Sequence, residues 1–355
     1  MASNTKQKHR FDRNDLAKFT QAVLSETGID DDDAAIVADV LVQANVRGVD
    51  SHGMIRLPAY VENVEEGGFN PNPDVQLQQL NTSAFAIDAD GGFGHPIMMD
   101  AVDESICLAK KYGSSVGAVR NSNHIGMMAY YTKRAADENC ITLASTNVPP
   151  QVAPFGGTDP YFGTNPIAYS VPSTNDFHIT LDMATSVVAH GKVLEAEKEG
   201  KDIPKGWAIT ETGAPATSPE DVNAFLPFGG PKGYGLSLFV DICSGLLSGV
   251  GPSPQTNSLH SEPSTPMNLG HFLFTIDIES FTDSANFRSQ VSSLITDLKS
   301  ISAQPDIDEV NLPGELEYET QVERESKGVP LPQGVIDTLS PLSDQFGVPF
   351  PDELE

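Results

Sequence analysis

Residues 47–60 read Arg-Gly-Val-Asp-Ser-His-Gly-Met-Ile-Arg-Leu-Pro-Ala-Tyr, which crowds acid, hydroxyl, imidazole, guanidinium and phenol groups around glycine. Upstream, Asp31, Asp32 and Asp33 supply an acidic helix start. Ile36, Val37, Val40, Leu41 and Ala44 then recur at helical spacing, and Gly48 stands where a helix stops. Ser51 and His52 therefore fall just beyond a helix end, as on an active-site loop. Arg56 can offer a flat fork of donors to a carboxylate, and His52 is expected to exchange a proton near neutral pH without a metal or a large pKa shift. That pairing suits an anionic 2-hydroxy or 2-oxo acid. An isolated Ser-His pair also serves as a turn cap, and an arginine as a salt bridge, so the reading leans on the segments around it.

At 355 residues the chain has room for two domains, taking about 150 residues for each. Forty-nine acidic against 21 basic residues give a formal charge of −28, which opposes binding to nucleic-acid phosphates or an anionic membrane. Hydrophobic residues still make up 39%, so the chain is not a disordered acidic polymer, and its charge excess suits a halophilic cytosol. Cys107, Cys140 and Cys243 lack Cys-x-x-Cys spacing and read as packing residues rather than as a disulfide or zinc framework. No signal-peptide-like or membrane-length apolar run occurs, and a soluble, cytoplasmic protein is expected.

Periodicity predicts a helix over 98–112, a strand over 115–119, a loop over 121–126, a helix over 127–139 and a strand over 141–145. Asn123, His124 and Gly126 thus lie at a strand end and helix start, where free backbone N–H groups can receive a phosphate. There is no Gly-x-Gly-x-x-Gly and no Gly-x-x-x-x-Gly-Lys-Ser/Thr, so a dinucleotide would have to bind without a Rossmann loop. Pro154-Phe155-Gly156-Gly157 and Gly163-Thr164-Asn165-Pro166 read as turns that let backbone approach a ligand. A strand over 177–183 places Asp182 at its end, with a helix expected from Ala184-Thr185-Ser186. Lys232 lies in a glycine-rich turn before an apolar helix from Leu236, residues 251–266 read as a flexible loop, and a strand over 271–278 and a helix over 281–300 follow. His95 reads as a turn residue, and His190 as a packed or surface one. His9, His178, His260 and His271 have no evident partner.

Taken together, these segments resemble the malate/L-lactate dehydrogenase family that lacks a Rossmann fold, whose relatives include ureidoglycolate and sulfolactate dehydrogenases and cyclic-imine reductases. The matching residues run in family order over most of the chain. They are Asp50-Ser51-His52-Gly53 with Arg56 and Tyr60, Asn121 to Gly126, Pro154 to Gly157, Gly163 to Pro166, Asp182 to Ser186, Gly229 to Leu236, and Leu312-Pro313-Gly314-Glu315. The resemblance implies a mixed α/β, non-Rossmann fold with a cofactor domain over 86–250 and a second domain built from 1–85 and 270–355. It implies an NAD- or NADP-dependent oxidoreductase of a small 2-hydroxy acid of the malate, lactate, sulfolactate or ureidoglycolate type, usually a homodimer. His52 or His124 would exchange the proton, supported by Ser51 and Asp182, while Arg56 clamps the carboxylate with help from Tyr60. Coenzyme contacts would come from His124, Ile125, Gly126, Met127 and Met128, from Asn147 and Val148, from Asp182, Met183 and Ala184, from Lys232 and Gly233, and from Pro313, Gly314 and Glu315. No metal ligands are expected.

A reductase of cyclic imino acids such as piperideine-2-carboxylate would keep the same clamp and protonate nitrogen. A Ser-His-Asp hydrolase using Ser51, His52 and Asp182 is disfavoured, because neighbours in an extended segment point to opposite sides and no nucleophile elbow surrounds Ser51. A binding protein that had lost the chemistry would not be expected to keep Ser51, His52, Arg56, His124, Asp182 and Lys232 together.

Overall fold

The computed structural model describes residues 8–260 and 262–354. In chain order the elements are β1 (Lys8–Phe11), α1 (Arg13–Glu26), α2 (Asp31–Val46), α3 (Leu57–Glu65), β2 (Gln76–Gln79), β3 (Ala84–Asp88), α4 (Gly94–Tyr112), β4 (Ser114–Ser122), α5 (Ala129–Asp137), β5 (Cys140–Thr146) and β6 (Ile167–Val171). They continue with β7 (Ile179–Met183), α6 (His190–Glu199), β8 (Ala208–Ile209), β9 (Ala224–Phe225), α7 (Pro231–Val240), β10 (Leu269–Asp277), α8 (Ser284–Lys299), α9 (Glu315–Lys327), β11 (Val329–Pro332) and α10 (Gln333–Phe346).

A mixed seven-stranded sheet, in the order β2-β3-β4-β10-β5-β6-β7, carries α4 and α5. Its middle strand, β10, comes from far along the chain and runs antiparallel to both β4 and β5, so the division expected at residue 270 passes through this strand. Leu269 faces Ser122 and His271 faces Thr146, which brings the ends of β4 and β5 and the start of β10 to one sheet edge. The residues after those ends form the floor of the cleft described below.

A separate core joins the two ends of the chain. Phe11, Leu16, Leu41, Met54, Leu57 and Tyr60 pack with Val329, Leu331, Leu339 and Leu342, and β1 pairs with β11. At α2, Asp30 caps the start by accepting from the Asp32 N–H, and Gly48 just past its end has φ +82°, a conformation that suits glycine. A third, smaller core gathers Val152, Phe162, Val188, Ala208 and Phe225 around the β8–β9 hairpin.

Several local expectations are corrected. No helix begins at Ala184-Thr185-Ser186. Thr185 Oγ1 donates to the Thr164 and Asn165 carbonyls and Ser186 Oγ to that of Val188, which holds the backbone irregular until α6. The helix expected from Leu236 starts at Pro231, where proline's missing N–H costs nothing. His95 is not in a turn but in the first turn of α4, fully buried. Residues 251–266 are partly fastened, for Ser253 donates to Asp241 Oδ1 through both its N–H and its Oγ; Ser261 lies outside the described residues. Cys140 and Cys243 are buried but Cys107 is exposed. Among the described residues, no helix is long and apolar enough to cross a membrane.

Candidate active site

The tract after α2 is built around buried Asn45. Its Oδ1 accepts the Met54 N–H at 2.7 Å and its Nδ2 donates to Asp50 Oδ1 at 2.7 Å, so one amide sets the distance across the loop. A Cβ on Gly53 would lie 2.1 Å from that Oδ1, which is why glycine occupies the position. The chain then makes two short 3-10 turns, Asp50–His52 and Met54–Arg56.

That winding overturns the extended-segment argument. Ser51 Oγ and His52 Nδ1 lie on the same side, 2.9 Å apart, so the serine is His52's hydrogen-bond partner. The third member of a hydrolytic triad is nevertheless absent from the pair. Asp182 Oδ2 accepts the Ala129 N–H at 2.8 Å, capping α5, and has no hydrogen bond to either histidine. In the segment 123–126, where a phosphate seat was expected, one of the backbone donors is taken within the protein. Asn123 fastens Gly91, Gly92 and Met267, the Gly126 N–H goes to His124 Nδ1, and α5 does not begin until Ala129.

His52 and His124 stack with ring centroids 5.6 Å apart and planes 20° from parallel. His124 Nδ1 accepts from Gly126 N–H at 3.1 Å and lies 2.6 Å from the Tyr60 hydroxyl. Tyr60 is wholly buried and is not among the residues that line the cleft, and its hydroxyl meets His124. Burial, followed by the charge of Arg56, pushes His52 down to about 4 and His124 well below the usual imidazole range. Both are neutral at pH 7, which corrects the expectation of an unshifted His52. Burial also raises Asp182 to about 6, against the hydrogen bonds from Ala129 and Met128.

Arg56 is half-buried in the cleft wall. Its Nε donates to the Ser51 carbonyl at 2.8 Å and its Nη1 to His260 Nε2 at 2.8 Å. Because guanidinium only donates, His260 accepts there and is neutral in this arrangement. His190 lines the same wall, with its ring 5.6 Å from that of Phe225. Neither histidine had a signal beyond its residue type, since each reaches the site by folding across a long sequence separation.

The cleft has a volume of about 520 Å³. Ser51, His52, Arg56, His124, Ile125, Gly126, Met127, Met128, Val148, Asp182, Met183 and Ala184 line it as expected. Asn147, Lys232, Gly233, Pro313, Gly314 and Glu315 do not. Asn147 ties β5 to its surroundings through Gly270 N–H and the Gly251 carbonyl, and Gly233 packs against the Phe228 backbone. Lys232 is exposed in the first turn of α7. Gly314, at φ +89°, packs on Thr180, and Glu315 binds Lys299 and the Leu312 N–H. Sequence reasoning missed Arg47, Gln151, Thr180 and Glu317 on the walls. Among the described residues, Arg47 Nε and Gln151 Oε1 are both buried without a partner, one a donor and the other an acceptor. A nicotinamide dinucleotide fits this cradle, with phosphate to satisfy a guanidinium, amide and hydroxyl groups to satisfy an acceptor, and apolar surface at Met127, Met183, Val148 and Leu269 for flat rings.

The sequence model of the malate/L-lactate dehydrogenase family matches residues 11–340. Malate dehydrogenase of Pyrococcus abyssi is 39% identical over 349 residues, covering 96% of this chain and 95% of that protein. Ureidoglycolate dehydrogenase (NAD(+)) of Escherichia coli O157:H7 is 35% identical over 306 residues, covering 86% and 88%. The crystal structure of malate dehydrogenase from Entamoeba histolytica superposes with a TM-score of 0.92 at 32% identity, covering 98% of this chain and all of that one.

Proposed function

This chain belongs to the malate/L-lactate dehydrogenase family of nicotinamide-dependent 2-hydroxyacid oxidoreductases, and from that premise we propose that it interconverts malate and oxaloacetate with NAD. The observation that carries the reading is the meeting of Arg56 with the stacked pair His52 and His124 in one cleft of about 520 Å³. The coenzyme supplies or takes the hydride at C2 of the substrate.

Arg56 receives the C1 carboxylate through its free guanidinium donors, and the neutral His260 and His190, which line the cleft with it, each offer one N–H to the second carboxylate of a four-carbon diacid. His124 donates from Nε2 to the C2 oxygen, because Nδ1 is committed to Gly126 and Tyr60. His52 exchanges the proton. With Nδ1–H donating to the Ser51 hydroxyl, Nε2 of His52 is a lone pair that takes the proton as the alcohol is oxidised, and the imidazolium so formed, still held by Ser51, returns that proton from Nε2 when the ketone is reduced. A carboxylate on Arg56 also removes part of what holds His52 uncharged. Asp182 and Glu317 on the cleft wall favour ribose hydroxyls over an extra phosphate, which supports NAD rather than NADP.

Two further features bear on the setting. Leu236, Leu238, Phe239, Ile242, Leu246 and Leu247 leave an apolar row exposed along α7 and its continuation, and a second copy of the chain covering it accounts for that row. The charge of −28 suits the cytoplasm of a halophile.

The test measures initial rates of NADH and NADPH oxidation in molar KCl with oxaloacetate, pyruvate, sulfopyruvate, oxalurate and piperideine-2-carboxylate. Oxaloacetate with NADH is expected to be turned over fastest. A preference for the cyclic imine, or for NADPH, would replace the corresponding half of the proposal.

A further inference from the structure

The polar string behind His124, formed by Tyr60 and His95, does not line the cleft, and one backbone donor orients it. A backbone N–H can only donate, so Gly126 N–H at 3.1 Å makes His124 Nδ1 an acceptor. Nδ1 then carries no hydrogen, and the hydroxyl of Tyr60, 2.6 Å away, donates to the same lone pair in a three-centre arrangement with the longer Gly126 contact. Having spent its only hydrogen, Tyr60 can only accept from His95 Nε2, 3.3 Å from the same oxygen. Among the described residues His95 Nδ1 is buried without a partner, so none of them competes for the proton on its far side. The three rings are fixed by packing. Tyr60 meets Phe93 edge to face at 5.9 Å and His95 at 5.2 Å, and both Tyr60 and His95 are wholly buried.

We propose that Tyr60 and His95 are positioning residues for the dehydrogenase reaction: the string His95–Tyr60–His124 holds His124 as the Nε2–H tautomer, aimed as a permanent hydrogen-bond donor at the substrate's C2 oxygen. The inference rests on the reading of His124 given above. Its consequence is a division of labour between two stacked histidines. His52, whose only fixed partner is a rotatable hydroxyl, can take the proton at Nε2 and return it. His124 cannot, and polarises the C2–oxygen bond as a neutral imidazole instead. Burial of the whole string serves the same end, since the charged form of either imidazole is unfavourable there. Gly126 is part of the device. At φ +67° it occupies backbone space that disfavours a side chain, and a Cβ there would come within 2.9 Å of Val40 and 3.1 Å of His95 Nε2.

The experiment is nitrogen NMR of the full-length protein with labelled histidine, before and after Tyr60→Phe, together with steady-state kinetics of both proteins. In the unaltered enzyme His124 is expected to show a bare, hydrogen-bonded Nδ1 and a protonated Nε2 near neutral pH. In Tyr60→Phe the Nδ1 signal is expected to move toward that of a free lone pair. kcat is expected to fall about 10- to 100-fold, with KM for the oxo acid changed by no more than about 2-fold. A protonated Nδ1 in the unaltered protein overturns the proposal without any variant having to fold. So do His124 signals that Tyr60→Phe leaves in place. A displaced Nδ1 signal with unchanged kcat would overturn instead the reading of His124 as a group that touches the reacting oxygen, and with it the catalytic purpose assigned to the string.

Discussion

Asp50 and Arg324, 274 residues apart in the chain, form a two-point pair, with Nη1 to Oδ1 at 2.6 Å and Nη2 to Oδ2 at 3.1 Å. The same Nη1 also binds the Asn45 carbonyl, so α9 holds the end of α2 and the catalytic loop at once. The loop carrying Ser51 and His52 is thereby pinned from the far end of the chain.

Arg324→Ala removes that pin. It is expected to lower stability by about 1–3 kcal/mol, since the Asn45 carbonyl and Asp50 lose a charged donor. kcat should fall severalfold, while coenzyme affinity, which depends on the other walls, stays near that of the unaltered enzyme. Chemical denaturation with parallel coenzyme titration checks this, and a variant of full stability and full kcat would show the clamp to be decorative.

Gly53→Ala tests the loop from within. Its Cβ would meet Asn45 Oδ1 at 2.1 Å, and moving Asn45 breaks its bonds to Met54 and Asp50 together. A loss of about 2–4 kcal/mol, with activity lost alongside, is expected for one added methyl group. A melting temperature within a degree of the parent would mean that the loop can rearrange around Asn45.

Arg56 and His52 should separate kinetically. Arg56→Ala deletes a charged contact made in ground and transition states alike, worth about 2–4 kcal/mol, so KM for the oxo acid should rise roughly 30- to 1000-fold with the smaller change in kcat. His52→Ala should lower kcat by about 10²- to 10⁴-fold with KM little changed. If His52→Ala keeps near-normal kcat, the proton passes through another group.

Acid should unfold this protein through its histidines. Burial holds His52 at about 4, His95 and His271 at about 3 and His124 well below the usual range, whereas the unfolded chain binds these protons near pH 6.5. A histidine depressed in the fold contributes stability that is present above the unfolded value and lost as pH falls toward the folded one. Stability should therefore be level from pH 8 to 7 and decline between about pH 6.5 and 4, with at most about 1.4 kcal/mol per pH unit for each histidine and the fully buried His95 and His271 contributing most. Asp182, raised to about 6, acts in the opposite sense as a single group. Urea titrations in 2 M KCl, where surface repulsion is screened, should show the decline. A constant or rising stability from pH 7 to 5.5 would contradict it.

Much of this was legible in the residues alone. The acidic cap and apolar period of α2, the glycine after it, the β4–α5–β5 order and the absence of a phosphate-binding glycine loop are local patterns, and local hydrogen bonding and side-chain periodicity produce them wherever the chain goes. They placed Ser51 and His52 just beyond a helix end and His124 just beyond a strand end, while the family resemblance assigned them, with Arg56, to one site. Tertiary structure alone decided what those groups are bonded to. A 3-10 turn, not an extended segment, sets Ser51 against His52. Tyr60 meets His124 because α3 packs in the core, one oxygen of Asp182 caps the start of α5, and Glu315 is held by Lys299. His260 reaches Arg56 across 204 residues. The uncharged state of the histidines comes from burial, which depends on every element packed around them and so has no local signature in the sequence.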